Sequence, residues 1–225
     1  MWNILQMGKL NVLYEDNHII VVEKEVNLLS QGDITGDDNL LDRVKLYIKE
    51  KYNKPGNVYV GLLHRLDRVV GGVMVFAKTS KAASRLSLDI KNHNFYKEYI
   101  ACCHGKVERR GEFIDNLVKL DTNTIVRSDG KRSELSYELL EYNSDKDISL
   151  VKIKLKTGRH HQIRVQFASR NHPLCSDNRY GKENGDIALF AYKLSFYHPI
   201  SKELLTFSLI PNNRWFNYFK IEDLL

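Results

Sequence analysis

Little in this sequence points to redox, zinc or membrane chemistry. Only three cysteines occur, Cys102, Cys103 and Cys175. An odd number with two adjacent does not make a disulfide framework, and no CxxC pair suggests structural zinc. Reduced thiols in a cytoplasmic protein are the expectation that follows. Proline is sparse and scattered, so no proline-rich linker divides the chain, and we expect one continuous domain over residues 1–225. No apolar run approaches the roughly 20 residues that a membrane helix needs. The opening stretch, MWNILQMGKLNVLYED, lacks a basic start followed by a long apolar segment and reads as neither signal peptide nor membrane span. The phosphate-binding patterns GxxxxGK[ST] and GxGxxG are missing, as is the zinc pattern HExxH.

What is present is an ordinary globular composition, 43% hydrophobic and 28% charged, long enough for a sizeable core. The net charge of +6 and pI near 9.1 favour a polyanionic partner, with a simple solubility charge as the alternative. Along the chain, residues 11–24 (NVLYEDNHIIVVEK) predict two short strands around a turn at Glu15-Asp16-Asn17. Residues 38–52 predict a helix with Leu41, Val44 and Ile48 inward, capped by Asp38 or Asn39. Thr79 is placed to cap a second helix through about Asn92, with Ala83, Leu86 and Ile90 inward. Strands are expected at 58–63, 73–77, 96–104, 112–120, 124–127, 133–141, 148–156, 186–197 and 203–210. A helix is expected at 160–171, and a last helical turn at 214–219. Strands dominate without regular βαβ alternation. That predicts an α+β fold with a large mixed, mostly antiparallel sheet flanked by a few helices.

Three stretches can carry chemistry. The first is GLLHRLDRVVGG, residues 61–72, where His64, Arg65, Leu66, Asp67 and Arg68 interrupt an apolar run. Neighbouring positive charge favours the ionised form of a carboxylate, and an ionised carboxylate at a strand end can act as nucleophile or base. On composition alone, a solvated turn with weak surface ion pairs is the better reading. The second is TGRHHQIR, residues 157–164, with Arg159, His161, Gln162 and Arg164 at a strand-to-helix transition suited to an anion. A charged helix start is its plainer explanation. The third is Lys97-Glu98-Tyr99-Ile100-Ala101, whose tyrosine is either strand packing or a platform for a flat ring such as a nucleobase. Basic clusters at Arg109-Arg110 and residues 127–132 lie in expected turns and suit phosphate contact or solvation equally. A metal site built from His64, Asp67, His160, His161 and His172 is disfavoured, because adjacent histidines point to different faces of a helix and no ligand spacing occurs.

Taken in order, HRLD, an FAKT strand, KxYxA, GRxHQIRV and HPLxxDxxYG resemble the RluA-type family of RNA pseudouridine synthases over residues 11–211. The resemblance implies a catalytic aspartate at Asp67, an active-site tyrosine packing on the target base at Tyr99, and a basic partner for the aspartate at Arg164. It places His64, Arg65, Arg68, Arg159, His161 and Gln162 as substrate contacts. It implies an isomerase that converts uridine in ribosomal or transfer RNA to pseudouridine, needing no metal and no cofactor, in the cytoplasm, with no membrane partner. A monomer is expected, because no heptad or apolar stripe stands out. Four departures accompany the match. Val69-Val70-Gly71 stands where the family has a variable residue, Thr and Ser. His160 stands where Thr or Ser is usual, Glu25 where Pro follows Lys24, and Cys175-Ser176 where Val-Gly precedes Asp177. With about ten residues before the first strand, no N-terminal S4-type RNA-binding module is expected. A non-catalytic RNA-binding or RNA-chaperone protein on the same fold is the alternative.

Overall fold

The computed structural model describes residues 10–225, so the reading of the first nine residues lies outside the described residues. Two compact units form. The first runs to Phe95 and regains Leu194–Phe207; the second comprises Tyr96–Lys193 and Ser208–Leu225.

In the first unit, β1 (Val12–Glu15) and β2 (Ile19–Lys24) form the expected hairpin. Asp16 closes its turn by accepting the backbone N–H groups of His18 and Ile19. β2 pairs antiparallel with β4 (Gly71–Ala77), whose residues are all buried, and the short β3 (Gly61–Leu62) lies along β4. The strand expected over 58–63 thus shrinks to two residues. α1 (Leu40–Lys51) starts at Asn39, whose side chain accepts the Asp42 N–H at 3.0 Å. Its inward residues are Leu40, Val44 and Ile48, so the buried stripe begins one residue earlier than Leu41, at the usual four-residue spacing. α2 (Ser80–Lys91) is capped by Thr79 and buries Ala82 and Leu86 rather than Ala83.

In the second unit, β5 (Phe95–His104) pairs antiparallel with β9 (Ile148–Leu155), from Lys97 opposite Leu155 to His104 opposite Ile148. β9 pairs with β8 (Lys131–Asn143), β8 with β6 (Arg110–Lys119), and β6 with β7 (Thr124–Val126), all antiparallel. β10 (Leu189–Tyr197) begins in this unit and ends in the first; it pairs with β11 (Leu204–Ser208), which belongs to the first unit up to Phe207. The fold is α+β with mostly antiparallel strands, as the sequence predicts. Phe113, Tyr137 and Phe167 pack ring against ring between β6, β8 and α3 (Gln162–Ala168), Phe113 edge-on to Phe167. Asp115 on β6 accepts from Gln166 Nε2 and Arg170 at 2.7 and 2.9 Å, which fixes α3 against the strand.

α3 is shorter than the helix expected over 160–171. His161 adopts left-handed backbone geometry, φ +51°, so the chain cannot be helical before Gln162. The C-terminal segment adds a 3₁₀ turn at Phe216–Tyr218 and α4 (Ile221–Leu224), the latter not foreseen. Phe216, Phe219 and Ile221 pack in one core with Cys102 and Cys175. All three cysteines are buried and form no disulfide; burial pushes the Cys103 thiol up to about 12, which makes it a packing residue rather than a nucleophile.

Candidate active site

In the first unit, Asp67 is half-buried at the start of a turn whose Val70 N–H returns to the Asp67 carbonyl at 3.0 Å. The turn is built on a buried lysine. Lys24, at the end of β2, is fully buried. Its Nζ donates to the carbonyls of Glu25, Arg68 and Val70 at 3.0, 3.0 and 2.8 Å. Burial pushes this amine down to about 7, while the Asp67 charge pulls it the other way. Three carbonyl acceptors match the three N–H donors of an ammonium, so this geometry is satisfied by the charged form. Just before Asp67, Ser30 Oγ accepts the Leu66 N–H and donates to the Leu66 carbonyl, 3.1 and 2.8 Å. The carboxylate is thereby mounted on a backbone held from both sides.

The flanking arginines turn outward. Arg65 donates to Gln31 Oε1 at 3.1 Å, and Arg68 pairs with Asp37 at 2.6 Å; both are exposed. His64 accepts the Val75 N–H at Nε2 and lies edge-on to Phe95, ring centroids 5.3 Å apart. Of the two glycines after the turn, Gly72 needs its freedom, at φ +135° within β4. Val70, where the resemblance calls for a hydroxyl, is buried in the core.

Replacing Lys24 by Met strips one donor from three carbonyls at once. We expect Lys24→Met to lose about 3 kcal/mol of stability in urea unfolding, at roughly 1 kcal/mol for each hydrogen bond lost. A loss below about 1 kcal/mol would mean that water replaces the ammonium and that the lysine does not hold the turn.

The second unit holds Tyr99, Arg159, His161, Gln162 and Arg164. Tyr99 is nearly buried on β5, opposite Ile153. Arg164, on α3, forms a two-pronged ion pair with Asp177: Nε to Oδ2 at 2.9 Å and an Nη to Oδ1 at 2.7 Å. Their side chains are 7% and 0% exposed, so the pair is desolvated. Asp177 Oδ1 also accepts the backbone N–H groups of Arg179 and Tyr180. The Arg164 guanidinium sits over the Tyr180 ring at 5.3 Å.

Tyr180 links this pair to the histidines. Its Oη accepts the Thr124 N–H at 2.9 Å and lies 2.9 Å from His161 Nδ1. Burial, followed by the positive charge of Arg164, pushes His161 down to about 3. The ring is therefore neutral, and the network assigns Nδ1 as acceptor of the Tyr180 hydroxyl and the proton to Nε2. His160 and His161 do not face apart; their rings stack at 3.7 Å, because the left-handed residue precedes the helix and turns both rings together. Gln162 is buried and shapes the turn before it. Its Oε1 accepts from Thr157 Oγ1 and the Arg159 N–H at 2.8 and 3.0 Å, and its Nε2 donates to the Glu134 carbonyl. Arg159 is exposed, with Nε donating to the Arg132 carbonyl.

Ser176 explains one departure from the family pattern. It sits at φ +56°, where glycine is the easier residue. Its hydroxyl accepts from Trp215 Nε1 at 3.0 Å and Arg214 at 3.1 Å, and its N–H donates to Glu183. The serine thus ties the C-terminal segment to the loop that carries Asp177. Sequence reading missed Lys24, Ser30, Asp177 and Tyr180 as site builders; Asp177 and Tyr180 stood in the HPLxxDxxYG pattern without a role. Among the described residues no three His, Cys, Asp or Glu side chains gather as a metal site, and no helix is long and apolar enough to cross a membrane.

Comparison with known proteins is consistent along the chain. The family described as RNA pseudouridylate synthase matches residues 18–169. A protein of Aquifex aeolicus named as an uncharacterized RNA pseudouridine synthase is 33% identical over 219 residues, covering 89% of this chain and 69% of that protein. The ribosomal large subunit pseudouridine synthase D of Buchnera aphidicola is 32% identical, covering 87% and 67%. Among solved structures, human RNA Pseudouridylate Synthase Domain Containing 4 superposes with a TM-score of 0.76 at 19% identity, over 92% of this chain and 90% of that one, a likeness of fold.

Proposed function

The chain belongs to the RluA-type family of RNA pseudouridine synthases, which are isomerases, and on that premise we propose that it converts uridine in large-subunit ribosomal RNA to pseudouridine. The observation that carries this reading is the family match over residues 18–169, which contains Asp67, Tyr99 and Arg164. Ribosomal RNA is preferred to transfer RNA because the Buchnera relative is named for the large ribosomal subunit. The work is cytoplasmic, and the protein acts as a monomer.

The reaction breaks the bond from ribose C1′ to uracil N1 and makes one from C1′ to C5. The proton on C5 leaves, and N1 ends protonated, so no oxidant or reductant enters. In the proposed mechanism Asp67 supplies the carboxylate to sugar or base, Tyr99 packs against the uracil ring, and Arg164 supplies positive charge to the aspartate. The target leaves its stack to reach these groups, and the basic surface of the chain favours the RNA backbone. Pseudouridine mapping of ribosomal and transfer RNA with and without the gene tests the proposal. We expect at least one ribosomal site to vanish in the deletion strain. An unchanged map in both RNA classes would overturn it and favour the non-catalytic RNA-binding alternative.

A further inference from the structure

Lys97 is a cation that the proposed reaction leaves unused. It lies on β5 two residues before Tyr99, so the two side chains leave the same face of the strand, their Cα atoms about 7 Å apart. The side chain is partly buried, yet no carboxylate or other hydrogen-bond acceptor meets its ammonium among the described residues. A buried charge normally has a partner or gives up its proton, and an amine with no acceptor beside it is open to an incoming anion that would hold it charged. Burial alone lowers its pKa, with no neighbouring charge contributing.

The Lys97 ammonium reaches the turn of TGRHHQIR. A Cβ built on Gly158 would lie 3.0 Å from Lys97 Nζ, so the absent side chain is what lets the ammonium approach the turn. Gly158 and Arg159 in turn line a groove of about 470 Å³ with Lys119, Lys131 and His160. Its one acid, Asp129, is already held by both ends of Arg127, at 2.5 and 3.0 Å. The groove therefore presents the cations Lys119, Lys131 and Arg159 without an acid to neutralise them, and its volume lies within the range of small-ligand sites. Arg159 is braced across it by its bond to the Arg132 carbonyl.

We propose that Lys97, with Arg159, Lys119 and Lys131 around the Gly158 turn, forms a phosphodiester-binding site for the RNA strand adjoining the nucleotide that Tyr99 receives. The site rests on the reading of the chain as an RNA-modifying enzyme and adds where the backbone is held. Lys97 gains its missing counter-charge only when RNA is bound, and the exposed cations extend the contact along the strand.

The test is fluorescence anisotropy of a 12-nucleotide single-stranded RNA of mixed sequence with the full chain, in potassium chloride from 50 to 300 mM. Lys97→Met is expected to weaken binding about tenfold at 50 mM salt and to lower the slope of log K against log salt by about one. Lys97→Arg keeps the slope. Gly158→Ala changes no charge, but its methyl would stand 3.0 Å from Lys97 Nζ and crowd the ammonium by a few tenths of an ångström, so a smaller weakening in the same direction is expected. Wild-type affinity and slope in Lys97→Met, with unchanged thermal stability, overturn the site. Binding is read apart from chemistry. A lost slope in a protein whose deletion removes no pseudouridine leaves the site standing and the catalytic reading refuted. Vanished pseudouridines with an unaltered slope do the reverse.

Discussion

Asp67→Asn removes pseudouridine formation, by about 10⁴-fold or more, and leaves the fold intact. The substitution keeps the shape of the side chain and deletes only its charge and basicity. The hydrogen bonds of the turn that carries it remain, because they are made by the Asp67 backbone carbonyl, the Lys24 amine and the Ser30 hydroxyl rather than by the carboxylate. An amide is a poor nucleophile and a poor base, so whichever role the carboxylate takes in detaching uracil, asparagine cannot take it. Removing a reacting group of this kind commonly costs several orders of magnitude. The measurement is tritium release from RNA carrying 5-tritiated uridine, since making the C5 to C1′ bond expels the C5 hydrogen, with urea unfolding alongside. Turnover within tenfold of wild type would remove Asp67 from the reaction. A large loss of stability would show instead that the carboxylate is structural.

How much of this was legible beforehand depends on the range of the interaction. Caps and periodicity are local, and the Asn39 and Thr79 caps were readable, with helix bounds nearly right. Their inward faces were misplaced by one residue, because Leu40 and Leu41, or Ala82 and Ala83, offer the same chemistry and only packing chooses between them. α4 spans four residues, too few to show a period. His160-His161 looked helical by composition, and a left-handed residue leaves no mark in hydrophobic pattern. The site followed the same division. The Asp67 stretch stood out because charge interrupts an apolar run within a few residues. Lys24 did not, since its hydrogen-bond partners Arg68 and Val70 lie 44 and 46 residues away and a lysine at a strand end ordinarily faces solvent. Asp177 was visible only as part of a pattern; that it is fully buried against Arg164 is a fact of tertiary packing.

That buried pair gives the largest stability effect. Asp177→Ala leaves a desolvated guanidinium without its two-pronged partner and takes the acceptor from two backbone N–H groups. Breaking a buried pair from one side costs roughly 3–5 kcal/mol, because the remaining charge stays out of water without compensation. The expected fall in melting temperature is about 10 °C. Arg164→Met removes the other charge and should cost less in the presence of Asp177→Ala than alone, since no desolvated guanidinium then remains without its two-pronged partner. The double variant is thus expected to be more stable than Asp177→Ala by about 1 kcal/mol or more, a coupling that a double-mutant cycle reads directly. Simple additivity of the two losses would mean that each residue acts through separate neighbours. In that event the Tyr180 and His161 network, rather than the charge pair, would be what keeps α3 and the Asp177 loop in register.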